Sequence, residues 1–153
     1  MAADPVFVDT NVLVYATRPL SAHHAVAESA LTRLASDGSP LWISPQILRE
    51  YLAAVTRPQA TAPALPVATA IADVRRFRAA FQIAEERPGV LDRLLEILTA
   101  HRATGRQVHD ANIVATMLDY DLQRLLTFNL ADFQRFTRLI TIEPLLQSTS
   151  FSG

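Results

Sequence analysis

Apolar residues fall along this chain in two rhythms: short unbroken runs, and longer stretches in which they return every three to four positions. The run Pro5–Val8 is aromatic and β-branched and ends at Asp9, which predicts a strand buried on both faces, as in a parallel sheet. "LWIS" from Leu41, "FQIA" from Phe81, "RLLTF" from Arg124 and "RLITI" from Arg138 repeat the pattern. Helical spacing fills the intervals. "VLVYA" follows Asp9-Thr10-Asn11, three residues that favour helix N-caps, and Pro19 stops it. Ser21 caps a second helix carrying Val26, Ala30 and Leu34, and Gly38 closes it. Ser44-Pro45 opens a third, with Ile47, Leu48, Tyr51, Leu52 and Val55 on one stripe.

The prolines of Arg57–Pro66 predict a loop. Further helices are expected over Val67–Phe81, with Ile71, Val74 and Phe77 inward, over Pro88–His101, over His109–Asp119, and briefly near Asp132–Phe136. Strands alternating with helices predict an α/β fold: a mainly parallel sheet with helices on both faces. One domain is expected over residues 1–146, with a disordered tail over 147–153.

Composition narrows the chemistry. The 153 residues suffice for one domain with its own core. There is no Cys, which removes thiol nucleophiles, Cys-ligated zinc and disulfides. All 14 basic residues are Arg, so a Walker A lysine and a lysine Schiff base are excluded. Gly38, Gly89, Gly105 and Gly153 are too scattered for a GxGxxG loop or a GxSxG elbow. A net charge of −1 provides no global field for nucleic acid, so contacts to it would be local. Without a signal-like N-terminus or a membrane-length apolar run, a soluble, cytoplasmic protein is expected.

Acids at strand ends matter because ligands of open α/β sheets bind outside the carboxyl ends of the strands. Asp9 directly follows the first strand and reads equally as a helix cap. Asp110 lies within the apolar arc formed by Ile113, Val114, Met117 and Leu118, where a charge needs a partner, a metal or a capping role. Glu50 flanks an apolar stripe, where solvation is the simpler reading. Asp132 follows the "LLTF" strand and suits a first-turn acid, and Asn129 suits a turn. All four acids could meet at one rim of the sheet. Two carboxylates ~5 Å apart repel by roughly 3 kcal/mol at an effective dielectric of 20. Such a cluster requires protons or a cation, and hard oxygen ligands select Mg²⁺ or Mn²⁺. Metal-assisted phosphodiester hydrolysis fits, since it requires no covalent intermediate.

"FVDTNVLVYA" around Asp9, "ILREYLAAVTRP" around Glu50, "HDANIVATM" around Asp110 and "LLTFNLADF" around Asp132 resemble the PIN-domain ribonucleases, and among them the VapC toxins of toxin–antitoxin pairs. The resemblance spans about residues 5–145 in the family's order. It implies a three-layer α/β/α sandwich around a parallel sheet. Asp9, Glu50 and Asp110 match the acids that hold the divalent ion, Asp132 matches a more variable fourth, and Thr10, Asn11 and Asn129 match supporting polar positions. It also implies Mg²⁺- or Mn²⁺-dependent endonucleolytic cleavage of RNA, a homodimer, and a cognate antitoxin laid over the active-site groove.

Two rival functions are a non-catalytic PIN-like RNA- or protein-binding module and a solitary PIN nuclease of RNA processing. An aspartyl phosphotransferase of the haloacid-dehalogenase type would need an acid where Asn11 stands, and a Lys. Arg75, Arg76 and Arg78 read as a solvated helix face before a contact to RNA phosphates, His23, His24 and His101 as exposed, His109 equally as a support beside Asp110 or as a surface or capping residue, and Trp42 as core.

Overall fold

The computed structural model describes residues 3–60 and 62–146, so the expected disordered tail lies outside the described residues. Five short strands, β1 (Val6–Val8), β2 (Leu41–Ile43), β3 (Gln82–Ile83), β4 (Arg124–Leu126) and β5 (Thr141–Ile142), form one sheet in the order β3-β2-β1-β4-β5. Every pairing is parallel, with Val6 opposite Leu41 on one side and Arg124 on the other. β1 is central and wholly buried, which explains its unbroken apolar run.

The helices are α1 (Thr10–Ala16), α2 (His24–Ser36), α3 (Pro45–Val55), α4 (Val67–Ala80), α5 (Pro88–His101), α6 (Gln107–Asp119) and α7 (Leu130–Phe133), the last running into a 3₁₀ turn over Gln134–Phe136. The chain moves outward from β1 through β2 to β3, then crosses back over β1 to β4 and β5. Right-handed crossovers place α1–α4 on one face and α5–α7 on the other. The packing follows this division: α1 touches α2 and α3, α3 touches α4, and α5 lies along α6, which touches α7. The reversal of direction makes a topological switch point between β1 and β4, where open α/β sheets hold their ligands.

Several local expectations need correction. α1 ends at Ala16, three residues before Pro19: Thr17 is its C-cap, with its amide on the Leu13 carbonyl and its hydroxyl donating to the carbonyls of Leu13 and Val14, both at 3.1 Å. α2 starts at His24 and buries Ala27, Ala30 and Leu34, with Val26 only half-buried; the Ser21 hydroxyl accepts from the His23 amide at 3.1 Å ahead of the helix. Ile71, expected inward, is exposed, and Asp73 occupies the buried face of α4 instead. There it accepts the Tyr51 hydroxyl at 2.7 Å and pairs with Arg76. A fully apolar reading of α4 had no way to anticipate that phenol partner from α3.

Trp42 is half-buried, its ring centroid 5.7 Å from that of Tyr120. His24 and His101 are half-buried as well: His24 lies between the Tyr15 carbonyl at 2.9 Å and Glu28 at 2.6 Å, and His101 packs 5.8 Å from Phe136. The proline-rich segment after α3 is held by Arg18, whose guanidinium donates to the carbonyls of Pro63 at 2.9 Å and Val55 at 3.0 Å.

Candidate active site

Asp9 is placed by the sheet itself. Its amide donates to the Leu126 carbonyl at 3.0 Å, extending the β1–β4 pairing to the first residue past β1. Its side chain also caps α1, accepting the Thr10 amide at 2.8 Å on Oδ1. Capping and site formation are thus one placement: a residue between strand and helix has its carboxylate at the rim by construction. The other oxygen accepts the Thr127 hydroxyl at 2.7 Å and the Asn11 amide at 3.2 Å. Asn11 reaches further, its carbonyl accepting the Phe128 amide at 3.0 Å, which ties the start of α1 to the end of β4.

Glu50 sits one turn into α3, half-buried rather than solvated. Oε2 accepts the Thr10 hydroxyl at 2.7 Å and Oε1 the Gln46 amide at 3.0 Å. Asp110 lies in the first turn of α6, whose N-cap position is Arg106, and its side chain makes no capping bond. It is half-buried, and among the described residues no hydrogen bond reaches its carboxylate. Asp9, Thr10, Asn11, Glu50, Asp110 and Asn129 line one cleft, together with Val14, Tyr15, Ala54 and Gln59. Asp132 lies outside that lining, exposed in the first turn of α7, but its charge reaches Asp110.

The electrostatics follow from this crowding. Burial raises the Asp9 carboxyl from 3.8 to about 6, with repulsion from Glu50 adding to it and the bonds from Thr127, Thr10 and Asn11 opposing it. Asp110 also rises to about 6, first by desolvation and then by repulsion from Asp9, Asp132 and Glu50. Among the described residues no Arg forms an ion pair with any of these four acids; the arginine pairs lie at Glu143, Glu86, Asp73 and Asp119. Asp9, Glu50 and Asp110 share a cleft but do not converge on a point: among the described residues no three acidic or histidine side chains are grouped tightly enough to ligate one ion as they stand.

Two residues of the site escaped sequence reasoning. Thr127 is wholly buried at the end of β4, and its hydroxyl also accepts the Asn129 amide at 3.0 Å. Gln46, in the first turn of α3, is buried and bonds Glu50, the His109 carbonyl and Asn112. The available signals were a Thr closing an apolar strand and a Gln one turn before Glu50 on the same helix face.

Comparison with known proteins agrees with this architecture. The PIN domain family model matches residues 6–139. Ribonuclease VapC43 of Mycobacterium tuberculosis is 34% identical over 143 residues, covering 90% of this chain and 94% of the relative, and a VapC ribonuclease of Mycobacterium bovis matches to the same extent. Among solved structures, VapBC2 from Rickettsia felis, bound to a DNA fragment from their promoter, superposes with a TM-score of 0.66 at 18% identity over 92% of this chain and 98% of that one. The Mycobacterium tuberculosis toxin VapC20, described as cleaving the sarcin-ricin loop, gives 0.65 at 18% identity over 89% and 96%. With an α/β/α sandwich, a five-stranded parallel sheet and a family match across most of its length, the chain belongs to the PIN-domain family.

Proposed function

We propose that this protein is an endoribonuclease dependent on Mg²⁺ or Mn²⁺ and the toxin of a toxin–antitoxin pair. The observation that carries the metal dependence is a cleft with three carboxylates and no arginine paired to them among the described residues, two of the carboxylates driven up to about 6. The donors are all oxygen, as a hard divalent cation requires. Asp9, Glu50 and Asp110 would hold the ion, with Asp132 as an outer acid. A bound ion supplies neutralisation of the phosphoryl oxygens and an activated water for in-line attack.

The chain's own residues do the rest. Thr127, Thr10 and Asn11 fix the Asp9 oxygens, Thr10 and Gln46 fix those of Glu50, and Asp110, without a hydrogen-bond partner among the described residues, retains freedom to turn toward an ion. Asn129, exposed on the cleft wall, would meet the substrate backbone.

RNA as substrate and an antitoxin as partner are supported by the VapC ribonucleases at 34% identity and by the VapBC assemblies among the structural relatives. Leu91 and Leu95, one turn apart and more than half exposed on α5, offer an apolar strip for a homodimer. No described helix is long and apolar enough to cross a membrane; a cytoplasmic site of action belongs to the toxin reading.

The test is RNA cleavage by the purified protein across a Mg²⁺ and Mn²⁺ titration beside Asp9→Asn. Metal-dependent cleavage lost in the variant is expected. Equal cleavage by both proteins would mean a contaminating nuclease.

A further inference from the structure

We propose that Gln46 is a positioning residue, which fixes the Glu50 carboxylate, and the spacing of the α3 and α6 backbones that carry Glu50 and Asp110, through an amide bridge locked by Asn112. The inference rests on the reading that Glu50 and Asp110 serve one cation.

Glu50 and Asp110 come from opposite layers, α3 on one face of the sheet and α6 on the other, and the two helices have little direct packing. Their relative position therefore depends on what crosses the carboxyl rim of the sheet. Gln46 crosses it. Its Nε2 donates to Glu50 Oε1 at 3.0 Å and to the carbonyl of His109, the residue before Asp110, at 2.9 Å. Its Oε1 accepts from Asn112 Nδ2 at 2.8 Å. The amide orientation is forced, because two acceptors lie on one side and a donor on the other.

Gln46 is only 6% exposed, and both of its N–H groups are used. A cross-brace between layers would need only the bonds to His109 and Asn112. The remaining N–H goes to the functional carboxylate. With Thr10 on the other oxygen, Glu50 has both oxygens held, so the entropy of ordering a long side chain is lost at folding and not at cation binding. Groups that orient a metal-ligating carboxylate govern its affinity without touching the ion.

Mn²⁺ binding, followed by electron paramagnetic resonance on the full-length protein, tests this. Wild type, Gln46→Met, Asn112→Ala and the double variant are compared, with melting in EDTA as the stability measure. Gln46→Met keeps the side-chain length and removes the bonds; its Mn²⁺ Kd is expected to rise about tenfold. Asn112→Ala should raise it about threefold, and the double variant should match Gln46→Met alone, because Asn112 acts through Gln46. RNA cleavage by Gln46→Met should then need more metal to reach half of its own maximum.

Unchanged Mn²⁺ affinity with a lowered Tm makes Gln46 a brace only and overturns the inference, as does an additive double variant. If Gln46→Met does not fold, unchanged affinity in Asn112→Ala overturns it equally. Wild type that binds no Mn²⁺ overturns the metal-site reading itself, a separate and earlier failure.

Discussion

Asp9→Asn should stabilise the metal-free protein above pH 6 while abolishing its activity. Asp9 is 4% exposed, and its carboxyl moves from 3.8 to about 6 on folding. The sign follows from which state holds the proton. Between these two values the unfolded chain has released it and the folded chain retains it, so stability falls as pH rises through that window. At about 1.4 kcal/mol per tenfold change in proton affinity, the full penalty is about 3 kcal/mol. It is absent below pH 4 and complete somewhat above pH 6. Asn carries no charge to desolvate and can still accept the Thr10 amide, although its new N–H₂ must be accommodated by Thr127 and Asn11. Part of the gain is offset there, leaving about 1–3 kcal/mol. For a domain of this size that is roughly 2–10 °C in Tm. The assay is thermal or urea unfolding of both proteins in EDTA from pH 4 to pH 8. The wild-type curve should drop relative to the variant across the window, and millimolar Mg²⁺ should reverse the order. A difference between the two curves that stays flat from pH 4 to pH 8 would refute the claim that Asp9 is held against its own charge.

Mg²⁺ or Mn²⁺ should raise the wild-type Tm at pH 7.5, by about 2.7 kcal/mol of stabilisation at a hundredfold excess over Kd; no shift at millimolar ion counts against the site. Asp110→Ala should keep the fold, since no described hydrogen bond reaches that carboxylate, and cut RNA cleavage by more than about a hundredfold; a collapsed circular-dichroism spectrum would restore a structural role. Asp132→Asn should lower the Asp110 carboxyl and so move the acid limb of the pH–rate profile to lower pH, an effect that shrinks with salt. Tyr51→Phe should cost about 1–3 kcal/mol in urea unfolding, because buried Asp73 loses its phenol donor, and should leave the metal requirement unchanged.

The elements were legible in this sequence where burial and periodicity coincide. β1 reads as a strand because both of its faces are covered, and α3 reads as a helix because one stripe carries Ile47, Tyr51 and Val55. The positions of Asp9 and Asp110 were legible too, since each acid breaks a pattern: one ends a strand, the other interrupts an apolar face. What could not be read are the partners chosen across layers. Thr127 resembles any strand-end Thr until Asp9 is set 2.7 Å away by the β1–β4 register. Gln46 has the same ambiguity, and so does Asp73, whose burial is tolerable only because Tyr51 arrives from another helix. Periodicity reports which face of an element is buried; it carries nothing about which polar groups meet there.

The donors surrounding Asp9 and Glu50 are all neutral: hydroxyls, carboxamides and one backbone N–H. The chain has 14 arginines, yet among the described residues it pairs none with the cleft, and the mildest influence on Asp110 is the opposing pull of exposed His109. A purely structural cluster of buried acids would be expected to recruit guanidinium groups, as buried Asp73 does with Arg76. Neutral donors orient a carboxylate and leave its charge in place. A phosphodiester brings further negative charge, so the metal-free cleft repels the proposed substrate as it repels its own acids. If Asp9, Glu50 and Asp110 hold the proposed cation, a scissile phosphate would settle against them only after the cation has bound, and RNA should protect the cleft, or raise Tm, only in the presence of the divalent ion.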